Sequence, residues 1–324
     1  MSQKPIASLS LDLDNKWSYM KTHGDAGWES FPTYLDIVVP RTLDILKEHN
    51  FTITFFVVGQ DAALDYNHDA LRSIGDAGHE IGNHSFHHEP WLHLYSKEQI
   101  EDELSNAAEH ISNATGKTPH GFRGPGFSVS ENVLRVLHEM NYKYDCSTFP
   151  TYLGPLARAY YFMTTKLSEE EKEQRKKLFG TFSEGLRPNK PYQWTIDNDT
   201  LVEIPVTTMP FFKVPIHASY VLYAAKMTTK SLAMFYFNTA LTLCRMAGVQ
   251  PSILLHPLDF MTVEDAPELG FFPAMQAKLD DKIDIMNSIF NSMKKHYEVV
   301  SMEKHAEHVS QNLQSLPKIV PQFN

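Results

Sequence analysis

Residues 7–14 read Ala7-Ser8-Leu9-Ser10-Leu11-Asp12-Leu13-Asp14. Leucine alternates with serine and aspartate, the period of a strand with one apolar and one polar face. Asp12 and Asp14 stand at i and i+2, so extended backbone turns both carboxylates to one side. At the C-terminal end of a barrel strand, that side is where active sites gather. The alternative is a pair of loop acids capping a turn.

Working outward, the first half alternates strand and helix. Pro40–His49 predicts a helix with proline in its first turn, where a missing N–H costs little. Phe51–Val58 is a β-branched and aromatic run closed by Gly59, a buried strand by composition. His68–Ala77 predicts a helix ended by Gly78, and His79–Asn83 a short strand leading into His84. Ser96-Lys-Glu-Gln is a capping box that opens a helix ending at Gly116. Ser130 caps another helix through Met140, and Tyr142–Cys146 is a strand. Short loops between such units argue for a parallel sheet, open or closed into a barrel.

Later segments follow suit: strands at Leu201–Val206 and Ser252–His256, a helix over Asp280–His296 and a strand at Tyr297–Ser301. Between them lie two departures. Lys166–Lys177 is a charged stretch with i,i+4 pairs, the pattern of a solvated helix. His217–Met246 is apolar and aromatic, either core helices or a groove for a greasy ligand. The tail from Gln311 is expected to be loosely held.

The 324 residues carry 29 Lys+Arg against 39 Asp+Glu, a net charge of −10, and are 42% hydrophobic. The chain can bury a core, and the acidic balance argues against nucleic acid, whose phosphates need clustered cations. Two cysteines, Cys146 and Cys244, make no disulfide framework and point to a reducing compartment. The N-terminus shows no apolar signal segment, so the expected location is cytoplasmic. The uncharged run Ser231–Cys244 falls short of the roughly 20 residues that span a bilayer. No transmembrane segment is expected; an amphipathic face over 217–246 would allow peripheral membrane contact.

Histidine is abundant, 16 in all, and it clusters at His84-Ser85-Phe86-His87-His88. On a helical turn His84 and His88 face the same way, the spacing that lets two imidazoles hold one metal. With a strand-end aspartate they supply three protein ligands and leave positions open, as in a catalytic divalent-metal site. The alternative is a loop that happens to be rich in histidine. Arg123-Gly124-Pro125-Gly126-Phe127 offers a guanidinium that can fork onto a carboxylate and a glycine backbone that can approach an oxyanion, or else a plain turn. Leu254-Leu255-His256 places a histidine after an apolar strand.

The order of these motifs, Asp-x-Asp, His-x-x-x-His, Arg-x-Pro and Leu-x-His, resembles the NodB-homology polysaccharide deacetylases, carbohydrate esterase family 4. The resemblance covers about Ala7–Phe149 and Trp194–Phe260. It implies an α/β fold, a distorted (β/α)7 barrel, as a single domain over 1–324 with helical insertions at about 153–192 and 210–250. It implies a metal-dependent N-deacetylase: Asp12 as base, Asp14, His84 and His88 as metal ligands, Arg123 orienting the base and His256 as general acid. Zn2+ is the expected ion, with Co2+ or Ni2+ also suited to such ligands. Gly126, Trp17 and Asp145 are the expected oxyanion and substrate contacts.

Three departures qualify the match. Leu13 separates acids that most members carry adjacently, a spacing like that of intracellular peptidoglycan-type deacetylases and lipid-linked aminoarabinose deformylases. Gly126 stands where many members have tyrosine, and the tryptophan usually downstream of Asp145 is absent. The expected substrate is an N-acyl amino sugar of a glycan, a glycan precursor or a lipid-linked sugar. A deformylase or amidase acting on another C–N bond, and a catalytically silent glycan-binding homologue, are the alternatives.

Overall fold

The computed structural model describes residues 4–156, 165–166 and 182–323. Strand β1, Ile6–Asp12, is buried at every position. It lies between β2, Thr54–Val57, and β8, Ser252–Leu255, both parallel to it. Leu9, Leu11 and Leu13 enter the largest apolar cluster. Ser10 and Asp12 face the other way and meet Arg123. The alternation in residues 7–14 therefore divides the layers: leucines outward to the helices, polar groups inward.

From β1 the sheet continues through β2, β3 (Glu80–Asn83), β4 (Gly121–Phe122) and β5 (Tyr144–Asp145) to β7 (Asp199–Glu203), all parallel. β6, Tyr192–Ile196, runs antiparallel to β7. The ladder is open between β7 and β8, and the chain after β7 bridges that gap. Ile204 N donates to Asp145 O at 2.9 Å, Val206 N to Thr148 O at 2.9 Å and Thr207 N to Ser252 O at 2.9 Å. The result is an α/β barrel distorted on one side. β9, Glu298–Val300, adds to the start of β1.

Helices cover the outside: α1 (Lys16–His23), α2 (Leu35–His49), α3 (Gly59–Ala62), α4 (His68–Asp76), α5 (Lys97–Thr115) and α6 (Glu131–Glu139) in the first half. The capping box at Ser96 and Gln99 is present, and α5 ends on Gly116 at φ 76°. Helix α2 begins five residues before the expected start, with Pro40 inside it. Only the carbonyl of Asp36 loses an N–H partner to that proline, and both residues are exposed, so water can serve it.

Helices α7 (Ala218–Met227) and α8 (Lys230–Ala247) fill the 210–250 segment. Val221, Leu222, Phe237, Ala240 and Leu241 join the main core, beside α9 (Leu279–His296). That face is core; Tyr223, Met227, Leu232, Phe235 and Met246 stay exposed. Beyond Lys166, which pairs with Asp25, most of the charged stretch 166–177 lies outside the described residues. The tail differs from expectation. After α10, Met302–Ser310, strand β10, Lys318–Ile319, pairs with β6, and Phe323 lies 5.7 Å from the Trp194 ring. Apolar contact with Trp194 docks a terminus whose polar composition hid it.

Candidate active site

The singled-out residues fall where parallel strands end. Asp12 closes β1, His84 follows β3, Arg123 follows β4, Asp145 closes β5 and His256 follows β8. Chain polarity alone therefore brings motifs distant in sequence to one rim.

The two histidines reach that rim differently from expectation. Residues 84–88 form no helical turn; Ser85 and His88 have positive φ, 60° and 52°. The loop is wound around Glu103 of α5, whose buried carboxylate accepts from the backbone N–H of Phe86 and of His87, each at 3.0 Å, and from His87 Nδ1. Burial raises the Glu103 carboxyl, but the bonds from His87 overcome it and hold it below its ordinary value. Three donors gathered on one buried acid replace helical periodicity as the cause of convergence.

Asp14 Oδ1 lies 2.9 Å from His88 Nε2 and 3.3 Å from His84 Nε2. One ligand atom from each of the three residues lies within 4.8 Å of the others. His84 Nδ1 donates to the carbonyl of Arg123 at 2.6 Å. A carbonyl only accepts, so Nδ1 carries the proton and the Nε2 lone pair faces Asp14. Two nitrogen lone pairs and a carboxylate aimed at one point fit a divalent cation. Where the two imidazoles are instead protonated and donate, the His88 charge and their hydrogen bonds outweigh burial, which raises the Asp14 carboxyl, and hold it well below the usual range.

Across from this cluster, Arg123 Nη1 donates to Asp12 Oδ1 at 2.7 Å and to Ser10 Oγ at 2.8 Å. Its Nε donates to Cys146 O at 3.1 Å, and the guanidinium lies 4.6 Å from the Phe56 ring centre. Burial works against its charge, but Asp12 overcomes this and raises the guanidinium further. Asp12 is thereby fixed in orientation.

His256 carries its own relay. Asp259 Oδ2 accepts from the His256 backbone N–H at 2.8 Å, and Ser219 Oγ donates to Asp259 Oδ1 at 2.7 Å. With its proton committed, Ser219 Oγ can only accept from His256 Nδ1, 3.2 Å away. The Nε2 of His256 is left for another partner. Sequence reading missed Ser219 and Asp259; an acid three residues beyond His256 was the available signal.

Two expected substrate contacts are corrected. Trp17 has no exposed surface, and its indole donates to Asp61 Oδ1 at 2.8 Å. It anchors α1 and cannot stack on a sugar. Asp145 is fully buried within the barrel, bonded by Ser147 Oγ at 2.5 Å, with Glu203 beside it. Burial and the Glu203 charge push its carboxyl well up. Gly126 does sit at the rim, exposed, with φ 57° and Pro90 facing it. Sequence reading also missed Tyr19, whose phenol feels burial first and then the charges of Asp14, Tyr34 and Asp259, and Asp61, which burial raises to about 7.

The chain is thus an α/β barrel with an Asp-His-His cluster, able to hold a metal ion, at the C-terminal rim of its parallel strands. Residues 25–144 match the family model for polysaccharide deacetylase. His84, His88 and Arg123 lie inside the match; Asp12, Asp14 and His256 lie outside it. The chain is 39% identical over 105 residues to the peptidoglycan-N-acetylmuramic acid deacetylase PdaA of Bacillus subtilis, covering 32% of this chain and 39% of that protein. It is 27% identical over 154 residues to a peptidoglycan deacetylase of Helicobacter pylori, covering 45% and 50%. The chain thus spans half the length or less of these curated relatives. Among solved structures, a Mycobacterium smegmatis protein assigned as a polysaccharide deacetylase superposes with TM-score 0.65 at 20% identity, covering 100% of this chain and 96% of that one. Puue allantoinase superposes with TM-score 0.60 at 17% identity, covering 96% and 92%. At these identities the likeness is one of fold.

Proposed function

We propose that the protein is a metal-dependent carbohydrate N-deacetylase, removing an N-acyl group, most simply acetyl, from an amino sugar of a glycan or glycan precursor. The observation that carries this reading is the meeting of Asp14, His84 and His88 opposite the Asp12–Arg123 pair. The relatives' deacetylation of peptidoglycan supports it. Asp14, His84 and His88 would hold the metal, Zn2+ by preference, and a metal there would supply Lewis-acid polarisation of the amide carbonyl. Asp12, held by Arg123, takes the proton of the attacking water. The Gly126 N–H faces the developing oxyanion. His256, oriented at Nδ1 by Ser219, donates from Nε2 to the departing amine, because an amine anion is too basic to leave. The amine and a short carboxylate are released.

The test is to strip the protein with chelator, reload it with Zn2+, and assay N,N′-diacetylchitobiose and peptidoglycan fragments for free amine and acetate. Metal-restored release of both supports the reading. Absence of release from either substrate overturns it, and formate release from an N-formyl amino sugar assayed in parallel, with no acetate from the acetylated substrates, redirects it to a deformylase.

A second reading concerns the carrier. From Ile204 to Leu258 there is no Asp or Glu, although the chain has 39, while Lys213, Lys226, Lys230 and Arg245 are present. The exposed apolar residues of α7 and α8 belong to this stretch. An apolar stretch that carries no acid of its own suits contact with an anionic lipid surface, although Asp284 of α9 pairs with its Lys230, and so a lipid-linked N-acyl sugar as substrate. No helix among the described residues is long and apolar enough to cross a membrane. Faster turnover of a detergent-solubilised lipid-linked N-acyl sugar than of chito-oligosaccharide supports this reading; equal rates dismiss it.

A further inference from the structure

His217 was not singled out by any motif. It stands immediately before α7, two residues from Ser219, so the same helix start delivers both side chains to the His256 end of the site. Its ring centre lies 5.9 Å from that of His256, 4.5 Å from Tyr220 and 5.5 Å from Phe149. Phe149 in turn stacks on Phe127 of the Arg123–Phe127 loop at 5.0 Å. These rings form one wall running from the arginine loop to the Leu-x-His strand.

Within that wall His217 is the polar member. It is 6% exposed, and its Nδ1 is buried with no hydrogen-bond partner among the described residues. A buried polar atom left unpaired costs stability, so a native position that keeps one calls for an explanation. Burial, followed by the charges of His256 and Arg123, holds the imidazole well below its ordinary value and therefore neutral. A neutral ring that can donate at one nitrogen and accept at the other suits a hydroxyl group. It does not suit a phosphate or carboxylate, which would draw on a cation.

We propose that His217 is a substrate-binding residue that hydrogen-bonds a hydroxyl on the amine side of the scissile bond, next to His256. This rests on the deacetylase reading above. It assigns part of the selectivity for a hydroxylated leaving amine to a side chain outside the metal cluster and the proton relay.

The experiment compares Zn2+-loaded wild type, His217→Phe and His217→Gln on two acetamides: N,N′-diacetylchitobiose, which carries hydroxyls beside the nitrogen, and 4-nitroacetanilide, which carries none. A single lost hydrogen bond that acts equally in ground and transition states raises KM about tenfold and leaves kcat in place. His217→Phe is expected to show that change on the disaccharide and none on the anilide, with His217→Gln recovering part of the loss. Zinc affinity and melting temperature are measured alongside; should His217→Phe not fold, His217→Met takes its place under the same expectation. Equal losses on both substrates, or no change on either, overturn the proposal while leaving the deacetylase reading intact. If wild type releases acetate from neither, that reading fails and the proposal fails with it.

Discussion

Arg123 Nη1 meets Asp12 Oδ1 at 2.7 Å, and the arginine has no exposed surface. The pair is closed from water on every side but the rim. Removing the cation leaves a buried carboxylate uncompensated, which costs about 3–5 kcal/mol. Arg123→Met is therefore expected to lower unfolding free energy by that amount in urea titration. Arg123→Lys restores the charge but cannot span Asp12, Ser10 and the Cys146 carbonyl together. It should fold better than the methionine variant and still lose turnover on the order of a hundredfold through a misplaced base.

The proposed metal ligands and the proposed base are separable by mutation. His84→Ala removes a ligand, whereas Asp12→Asn leaves all three in place. Zn2+ that binds only the folded chain raises stability by about 2.7 kcal/mol when present at a hundred times its dissociation constant. Thermal shift on adding Zn2+ is expected for wild type and Asp12→Asn and to be absent for His84→Ala. Both variants should lose acetate release. Full activity in either would remove the assigned roles.

What the sequence disclosed follows from range. The alternation up to Asp12 lies on one buried strand, and its period alone set the layer and the direction of Asp12, whereas Asp14 stands two residues past the strand end. The capping box of α5 is likewise written in four adjacent residues. The His84–His88 pair was legible as a pair but not as a geometry. Its convergence depends on Glu103, sixteen positions from His87, and on two positive-φ residues that no local periodicity announces. Trp17 was misassigned because an aromatic near an active-site strand looks alike whether it faces a sugar or a buried acid. Only the fold brings Asp61 to its indole. His217 escaped notice for the same reason, since its meaning lies in proximity to His256, thirty-nine residues away.

Glu103 gives a prediction of its own. Its carboxylate holds two backbone N–H groups and the His87 ring, so Glu103→Ala strands buried donors at a cost of about 1–3 kcal/mol. The loop it releases carries both proposed histidine ligands. Zinc affinity should fall by roughly 10- to 100-fold, the range seen when support behind a ligand is removed. Isothermal titration with Zn2+ reads this directly. Unchanged affinity in a folded Glu103→Ala protein would show that the loop keeps its shape without the acid.

His305 sets a pH dependence away from the site. It is fully buried on α10, with Ser8 Oγ 2.8 Å from Nδ1 and Gln250 Oε1 3.2 Å from Nε2. The Gln250 carbonyl oxygen accepts from Nε2, so Nδ1 accepts from Ser8 and the ring is neutral. Burial, with a smaller contribution from His308, lowers it to about 3. Unfolded histidine titrates near 6.5. Between those values the unfolded chain binds a proton that the folded chain refuses. Stability is therefore complete above about pH 6.5 and is lost as pH falls toward 3, at about 1.4 kcal/mol per pH unit for this one group. His305→Gln removes the titration but also the packing of the ring, so its absolute stability should drop. The informative quantity is the slope: from urea titrations between pH 6 and 4, the variant should lose less stability per pH unit than wild type by about that amount. Parallel slopes would mean that His305 becomes protonated in the folded protein, with Ser8 and Gln250 rearranged to receive it.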